Sequence, residues 1–334
     1  MKNENSRKIK LLKLWELLKS ETDEDHPMDT VEIMEKLSRD GIEVDRKILY
    51  NDVEVLNSYG YEVLKERGKR NRYYVMDRSF DLPEIRILMD AMQASAFITE
   101  KKTEELTSKI SSLAGSKKGC VLKESVLRFS TVKSLNESVF YSVNTIAEAI
   151  DSGKKIVFNY YTLNVHKEKA YRTEKNDTSK IKQYKVNPVA TVFDNGQYYL
   201  VCYDDKHKGL ANYRIDRMDR VKITEEDIRE NKETQGIDLA KRNRQMFGMF
   251  GGDVHTVTIE ADKSLLDVIF DKFGHRIELF ETKDGKISCK AEVQTGPMFI
   301  AWCCSFEDRL KVVSPPSVVN SVKSHLEKSL SQYK

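Results

Sequence analysis

Within the first 76 residues, three apolar stripes at helical spacing are followed at once by two short β-rich runs, an order that admits few folds. From Lys8 to Lys19, the residues Leu11, Leu14, Trp15 and Leu18 recur at the spacing that lays an apolar stripe along one side of a helix. After the polar stretch ETDEDHP, Asp29 and Glu32 carry the capping-box signature of a second helix. Its buried side is Ile33, Met34 and Leu37, and it ends near Gly41. A third helix opens at Asp45, a good N-cap, and stops at Gly60, where a residue without Cβ can take the left-handed conformation. The runs YEVLKE (Tyr61 to Glu66) and RYYVM (Arg72 to Met76), joined by RGKRN around Gly68, follow as a hairpin. Three helices and a hairpin predict a winged helix-turn-helix over residues 1–80.

The third helix divides cleanly. At about 100° per residue, Leu49, Val53 and Leu56 fall on one side and Arg46, Lys47, Tyr50 and Asn51 on the other. The polar side suits a major groove: Arg46 and Lys47 can donate to guanine or phosphate, and Asn51 can pair bidentately with adenine. These positions come early in the helix, where a recognition helix meets base edges, and Glu54 bounds the zone. The hairpin segment KERGKRNR, Lys65 to Arg72, sets five Lys or Arg against one Glu, and Lys69, Arg70 and Arg72 are its candidate phosphate contacts.

Residues 81–143 read as a helical connector that assists dimerisation. Ile85, Leu88, Met92 and Ala96 form one stripe and Leu106, Ile110 and Leu113 the next, with no partner evident in the small N-terminal domain. After a helix at Thr145 to Gly153, the runs KIVFNYY, QYKVNPVATVF, QYYLVCYD, LANYRI and VKIT predict five short strands of a small barrel over residues 144–228. The polar stretch His166 to Lys180 is expected to be an exposed loop, and residues 229–253, ending in MFGMFGGD, a linker. Residues 254–334 then alternate as β-α-β-β-α-β with a last helix, the ferredoxin-like plan. The fold class is therefore α+β and multidomain.

A net charge of +3, from 56 basic and 53 acidic residues, means that attraction to nucleic acid must come from local clusters. No run of about 18 apolar residues and no signal-peptide core are present, so a cytoplasmic protein without membrane contact is expected. Five scattered cysteines without paired spacing point to reduced, mostly buried thiols.

On these residues the chain resembles the bacterial WYL-domain transcriptional regulators, which carry an N-terminal winged helix, a central WYL domain and a C-terminal WCX extension. The resemblance covers nearly the whole chain. It rests on DRKILYNDVEVLNSYGYEV, on NPVATVFDNGQYYLVCYD followed by NYRIDRMDRV, and on FIAWCCSFEDRLKVVSPPSVVNSV. Tyr198 stands where the family has its naming tryptophan, with Tyr199 and Leu200 keeping the triplet; Trp302, Cys303 and Cys304 match the letters of the extension. The resemblance implies a homodimeric regulator of double-stranded DNA. Its SH3/Sm-like barrel would bind a nucleotide, a single-stranded nucleic-acid fragment or another anionic effector. The carried-over candidates are Arg214 and Arg217, with Tyr160, Tyr184 and Tyr198 as stacking or hydrogen-bonding neighbours. Alternation puts Tyr198 and Tyr199 on opposite faces of their strand.

Glycine-rich phosphate loops, G-x-S-x-G elbows and H-E-x-x-H helices are absent, and no histidine stands at metal-ligand spacing from a cysteine. No catalytic residue, cofactor or metal is expected. Two function classes remain: a ligand-responsive transcription factor, or an accessory nucleic-acid-binding protein that recruits or stimulates a partner nuclease or defence enzyme.

Overall fold

The computed structural model describes residues 2–125, 132–205, 209–229, 238–249 and 251–333, and the chain divides into two units, Met1–Glu137 and Ser138–Lys334. It is a mixed α/β structure, with its first helices at the N-terminus and several separate sheets. Among the described residues no helix is long and apolar enough to cross a membrane.

In the first unit, α1 (Lys2–Glu21), α2 (Thr30–Arg39) and α3 (Arg46–Ser58) bury Leu14, Leu18, Ile33, Leu37, Leu49, Val53 and Leu56 in one core. The capping box read at Asp29 is formed: its carboxylate accepts from the Val31 and Glu32 amides while the Glu32 carboxylate accepts from the Asp29 amide. Asp45 likewise accepts from the Ile48 amide and starts α3. The hairpin is narrower than its sequence runs, with β2 at Leu64–Glu66 and β3 at Arg72–Tyr74, and β1 (Met28–Asp29) completes an antiparallel sheet in the order β1-β3-β2. That third strand sits in a segment too short and polar to announce itself.

The two stripes expected to lack partners meet each other. α4 (Leu82–Ala94), α5 (Glu100–Ser112) and α6 (Ser116–Ser125) enclose Ile85, Met89 and Ala114, with Ile110 and Leu122 packed alongside. Met89, not Leu88, is the buried neighbour of Ile85, and Leu88 lies exposed. Arg78 ties this layer to the end of α1, donating from Nη1 to the Lys19 carbonyl and from Nη2 to the Thr22 carbonyl, both at 2.7 Å. Such a cation satisfies carbonyls that a helix end leaves without partners.

In the second unit, α7 (Val139–Asp151) buries Val139, Ile146 and Ala149. It packs on a sheet that contains β4 (Lys154–Leu163), β8 (Gln183–Asp194), β9 (Gln197–Tyr203), β10 (Leu210–Arg214) and β11 (Met218–Asp227), in the order β10-β9-β8-β4-β11. All five expected strands are present. β8 serves two neighbours: its first half pairs with β4 and its second with β9, with a register shift beyond Pro188, a residue that tolerates such an interruption. The stretch expected to be a loop is exposed but ordered as β5 (Lys169–Tyr171), which pairs with β4, and the small hairpin of β6 (Thr173–Glu174) and β7 (Asp177–Ile181).

The expected linker also differs in part. Residues 230–237 lie outside the described residues, but α8 (Leu239–Gln245) follows them, and Met246, Phe247 and Met249 are buried. Met246 and Met249 pack on Val201 of β9, while Phe247 enters the C-terminal core. That core lies under β12 (Val254–Ala261), β13 (Leu279–Glu281), β14 (Ile287–Gln294) and β15 (Leu310–Ser314). Their order is β13-β14-β12-β15, with α9 (Leu266–Phe273), α10 (Pro297–Cys304) and α11 (Pro316–Ser331) between and after them. Phe247 meets Phe299 and Trp302, each at 5.1 Å between ring centroids. Phe247→Ala is expected to lower the unfolding free energy of this unit by roughly 3–5 kcal/mol, the usual loss on emptying a buried aromatic site. A urea titration checks it; a loss under about 1 kcal/mol would return residues 246–249 to the status of a linker.

Candidate functional site

Side chains on α3 are sorted as the periodicity requires. Leu49, Val53 and Leu56 face the core, and Arg46, Lys47, Tyr50 and Asn51 are all exposed. Asp52, which sequence inspection passed over, is 5% exposed and forms an ion pair with Lys10 of α1 at 2.6 Å. This pair fixes the helix in rotation. Asn57, at the far end of α3, donates to the Val63 carbonyl at 3.1 Å and accepts from the Val63 amide at 2.8 Å, so the hairpin is set against the helix by two hydrogen bonds.

Between helix and hairpin, the Tyr50 ring lies 6.5 Å from Tyr73, and the Lys65 ammonium sits 5.7 Å from the Tyr50 centroid and 6.0 Å from that of Tyr73. Lys65 thus joins the exposed surface, although only its place in a cationic run hinted at it. The hairpin cations are not equivalent. Arg70 is paired with the Asp29 carboxylate at 3.1 Å and Arg72 with Glu66 at 3.0 Å, whereas Lys69 has no carboxylate partner among the described residues. In water each exposed pair contributes little, and a phosphate can replace the carboxylate.

The second unit holds a different cluster. Phe158 and Tyr160 of β4, Tyr184 of β8 and Tyr213 of β10 meet with centroids 5.2–6.5 Å apart; Phe158 and Tyr184 are stacked and the other contacts are edge-on. Burial pushes the Tyr160 and Tyr213 phenols above the usual tyrosine range. The Arg172 guanidinium stands 5.0 Å over the Tyr160 ring and donates to the Tyr184 hydroxyl at 3.5 Å, and the Lys182 ammonium is 4.5 Å over the Tyr184 ring. Tyr160 and Tyr184 are each 7% exposed, so the cluster presents cations to its surroundings and no open stacking faces.

Residues 142–223 match the family model of the WYL domain. The chain carries a WYL domain. No curated protein matches it. Among solved structures it is similar to proteasome accessory factor B/C of Arthrobacter aurescens, with 16% identity, 97% of this chain covered and a TM-score of 0.29. It is similar also to a CRISPR Cas-related protein, with 14% identity, 77% of this chain and 75% of that one covered, and a TM-score of 0.37. The chain spans 49% of the length of the accessory factor.

Within the WYL domain, the five sequence candidates separate. Tyr160 and Tyr184 meet in the aromatic cluster; Tyr198 lies apart, paired with Phe193 at 5.0 Å near the β8–β9 turn. Tyr199, on the opposite strand face, packs with Val201 and Met246. Arg214 is held by Asp216 through a fork, Nε to Oδ1 at 3.0 Å and Nη2 to Oδ2 at 2.8 Å, while its amide donates to the Tyr160 hydroxyl at 3.3 Å. Arg217 borders Tyr160 closely enough for its charge to oppose the burial shift of that phenol, and it has no carboxylate partner among the described residues. Arg172 was missed because its stretch reads as loop, and Lys182 lies just beyond that stretch; the available signal was a nearby aromatic, Tyr171 beside Arg172 and Tyr184 two places after Lys182.

Arg172 is positioned by the residue before it. The Tyr171 hydroxyl donates to the Asp219 carboxylate, and this bond pushes the phenol up to about 12. The neutral phenol is therefore favoured in the folded chain. Its stabilisation is complete below pH about 10 and is lost as pH rises through about 12. Ultraviolet titration of tyrosinate should show one phenol ionising near pH 12 that disappears in Tyr171→Phe and moves toward pH 10 in Asp219→Asn. An unchanged curve in both variants would remove this anchor.

Proposed function

We propose that this protein is a non-enzymatic, sequence-specific regulator that binds double-stranded DNA through α3 and the β2–β3 hairpin. In this reading the WYL domain binds a nucleotide, a single-stranded nucleic-acid fragment or another anionic effector and thereby alters DNA affinity. The observation that carries the proposal is the joint exposure of Arg46, Lys47, Tyr50 and Asn51 on one side of α3, beside a cationic hairpin. Three helices followed by an antiparallel hairpin correspond to a winged helix-turn-helix, in which early residues of the third helix reach base edges and the wing touches backbone. Arg70 and Arg72 enter contact by exchanging Asp29 and Glu66 for phosphate; Lys69 needs no exchange.

Support for an anionic effector comes from the three cations, Arg172, Lys182 and Arg217, gathered around Tyr160 and Tyr184 without carboxylate partners among the described residues. Arg214 serves this site as a brace, because Asp216 fills its fork. The sheet order β13-β14-β12-β15 and its helices support the reading of this part as the ferredoxin-like plan expected of a WCX extension. A homodimer would read two half-sites about one helical turn, or a multiple of it, apart.

Arg46→Ala and Asn51→Ala are each expected to weaken binding to the specific duplex by roughly 1–3 kcal/mol, while Lys69→Ala weakens all duplexes evenly. Anisotropy titrations at fixed salt on genomic fragments test this; equal losses on specific and unrelated duplexes for Asn51→Ala would refute base reading. For the WYL domain, Arg172→Ala should keep basal DNA binding yet lose the response to added single-stranded oligonucleotide or nucleotide. A normal response in that variant would misplace the effector site.

A further inference from the structure

A second cationic hollow lies in the C-terminal part of the chain and shares no residue with the aromatic cluster of the WYL domain. β13 pairs with β14 only over Ile287–Cys289. Beyond that point Lys290, Ala291 and Glu292 border a cleft of about 250 Å³, walled by α8 and by the turn that follows α9. Four cations line it: Lys241 and Arg244 from α8, Arg276 from the turn, and Lys290 from β14. Glu292 answers only one of them. Its carboxylate takes Lys241 at 2.7 Å and the Gln245 amide at 3.2 Å, and Lys241 holds it below the usual carboxylate range.

Arg244, Arg276 and Lys290 have no carboxylate partner among the described residues. Gathering three like charges around one hollow is unfavourable without a counter-charge, so the arrangement calls for an anion. The remaining lining is apolar, with the Phe273 ring and Ile277. Two guanidinium forks suit phosphate oxygens, and an aromatic ring beside them suits the flat face of a base. The volume is below the roughly 300–1,000 Å³ of sites for larger ligands and matches one nucleotide rather than several.

We propose that this cleft binds one nucleotide by its phosphate and base, either as a free molecule or as the phosphorylated end of a single strand. Arg244 and Arg276 grip the phosphate, Lys290 adds charge, and Phe273 and Ile277 meet the base. α8 is held in place from its other side, where Arg242 donates to the Asn212 side chain at 3.2 Å and Asn212 donates to the Met249 carbonyl at 3.0 Å. The wall that carries Arg244 is therefore anchored before any ligand arrives.

The test is calorimetric titration of the full chain at low salt with adenosine monophosphate, in an Arg172→Ala background that silences the WYL cluster. Saturable binding is expected, weakened at least tenfold in Arg244→Ala and in Arg276→Ala, unchanged in Lys263→Ala, and at least tenfold weaker for adenosine without phosphate. Competition by a short 5′-phosphorylated deoxythymidine strand, but not by its unphosphorylated twin, assigns the occupant to a strand end; binding without such competition assigns it to the free nucleotide. Equal affinity in the Arg244→Ala, Arg276→Ala double variant, or no saturable binding at all, overturns the proposal. Because all three cations are exposed, the variants should fold, and failure here leaves an effector response lost with Arg172→Ala alone standing.

Discussion

The orientation of α3 is set from beneath by Leu49, Val53 and Leu56 and by the buried contact between Asp52 and Lys10. Each residue of a helix advances about 100°, so a turn by one position would bring Asp52 into water and drive a polar neighbour against α1. A carboxylate taken from water is tolerated only where its partner waits, which makes this pair a stronger statement about rotation than about stability. Everything outward on the helix follows: Arg46, Lys47, Tyr50 and Asn51 share one side because the opposite side is committed. Asn57 then carries the same reference frame to the hairpin through the Val63 backbone.

Charge compensation sets two arginines of the WYL domain apart. Arg214 lies within a family-like motif, yet Asp216 occupies both arms of its fork and makes it a brace for Tyr160. Arg172, between β5 and β6 in a stretch that no motif flags, is held over the same ring with no carboxylate partner among the described residues. The distinction rests on geometry two residues away along the chain for Arg214, and on a strand pairing across the sheet for Arg172.

Local grammar carried the first unit well. Capping at Asp29 and Asp45, the split faces of α3 and the hairpin around Gly68 all depend on neighbours within a few positions, so they are legible in the chain. What escaped reading depends on distant partners. β1 exists because β3 accepts it, α6 because Ile85 and Met89 need a cover, and β5 because β4 extends past the main ladder. Met246, Phe247 and Met249 sit in a charged stretch that looks like a tether, and only two facing sheets make them interior. In the WYL domain the strands were legible but the meeting of Tyr160, Tyr184 and Tyr213 was not, since the three belong to different strands and Tyr198 has the same local appearance.

Asp29 has two duties at once, ending the orphaned amides of α2 and neutralising Arg70, while Glu66 does the second for Arg72. The hairpin therefore comes with internal counter-ions. A polyanion laid along it displaces tethered carboxylates, which then attract dissolved cations back to the protein surface. Net ion release is correspondingly smaller, and the grip of such a wing should fade more gently with rising ionic strength than its tally of basic residues implies.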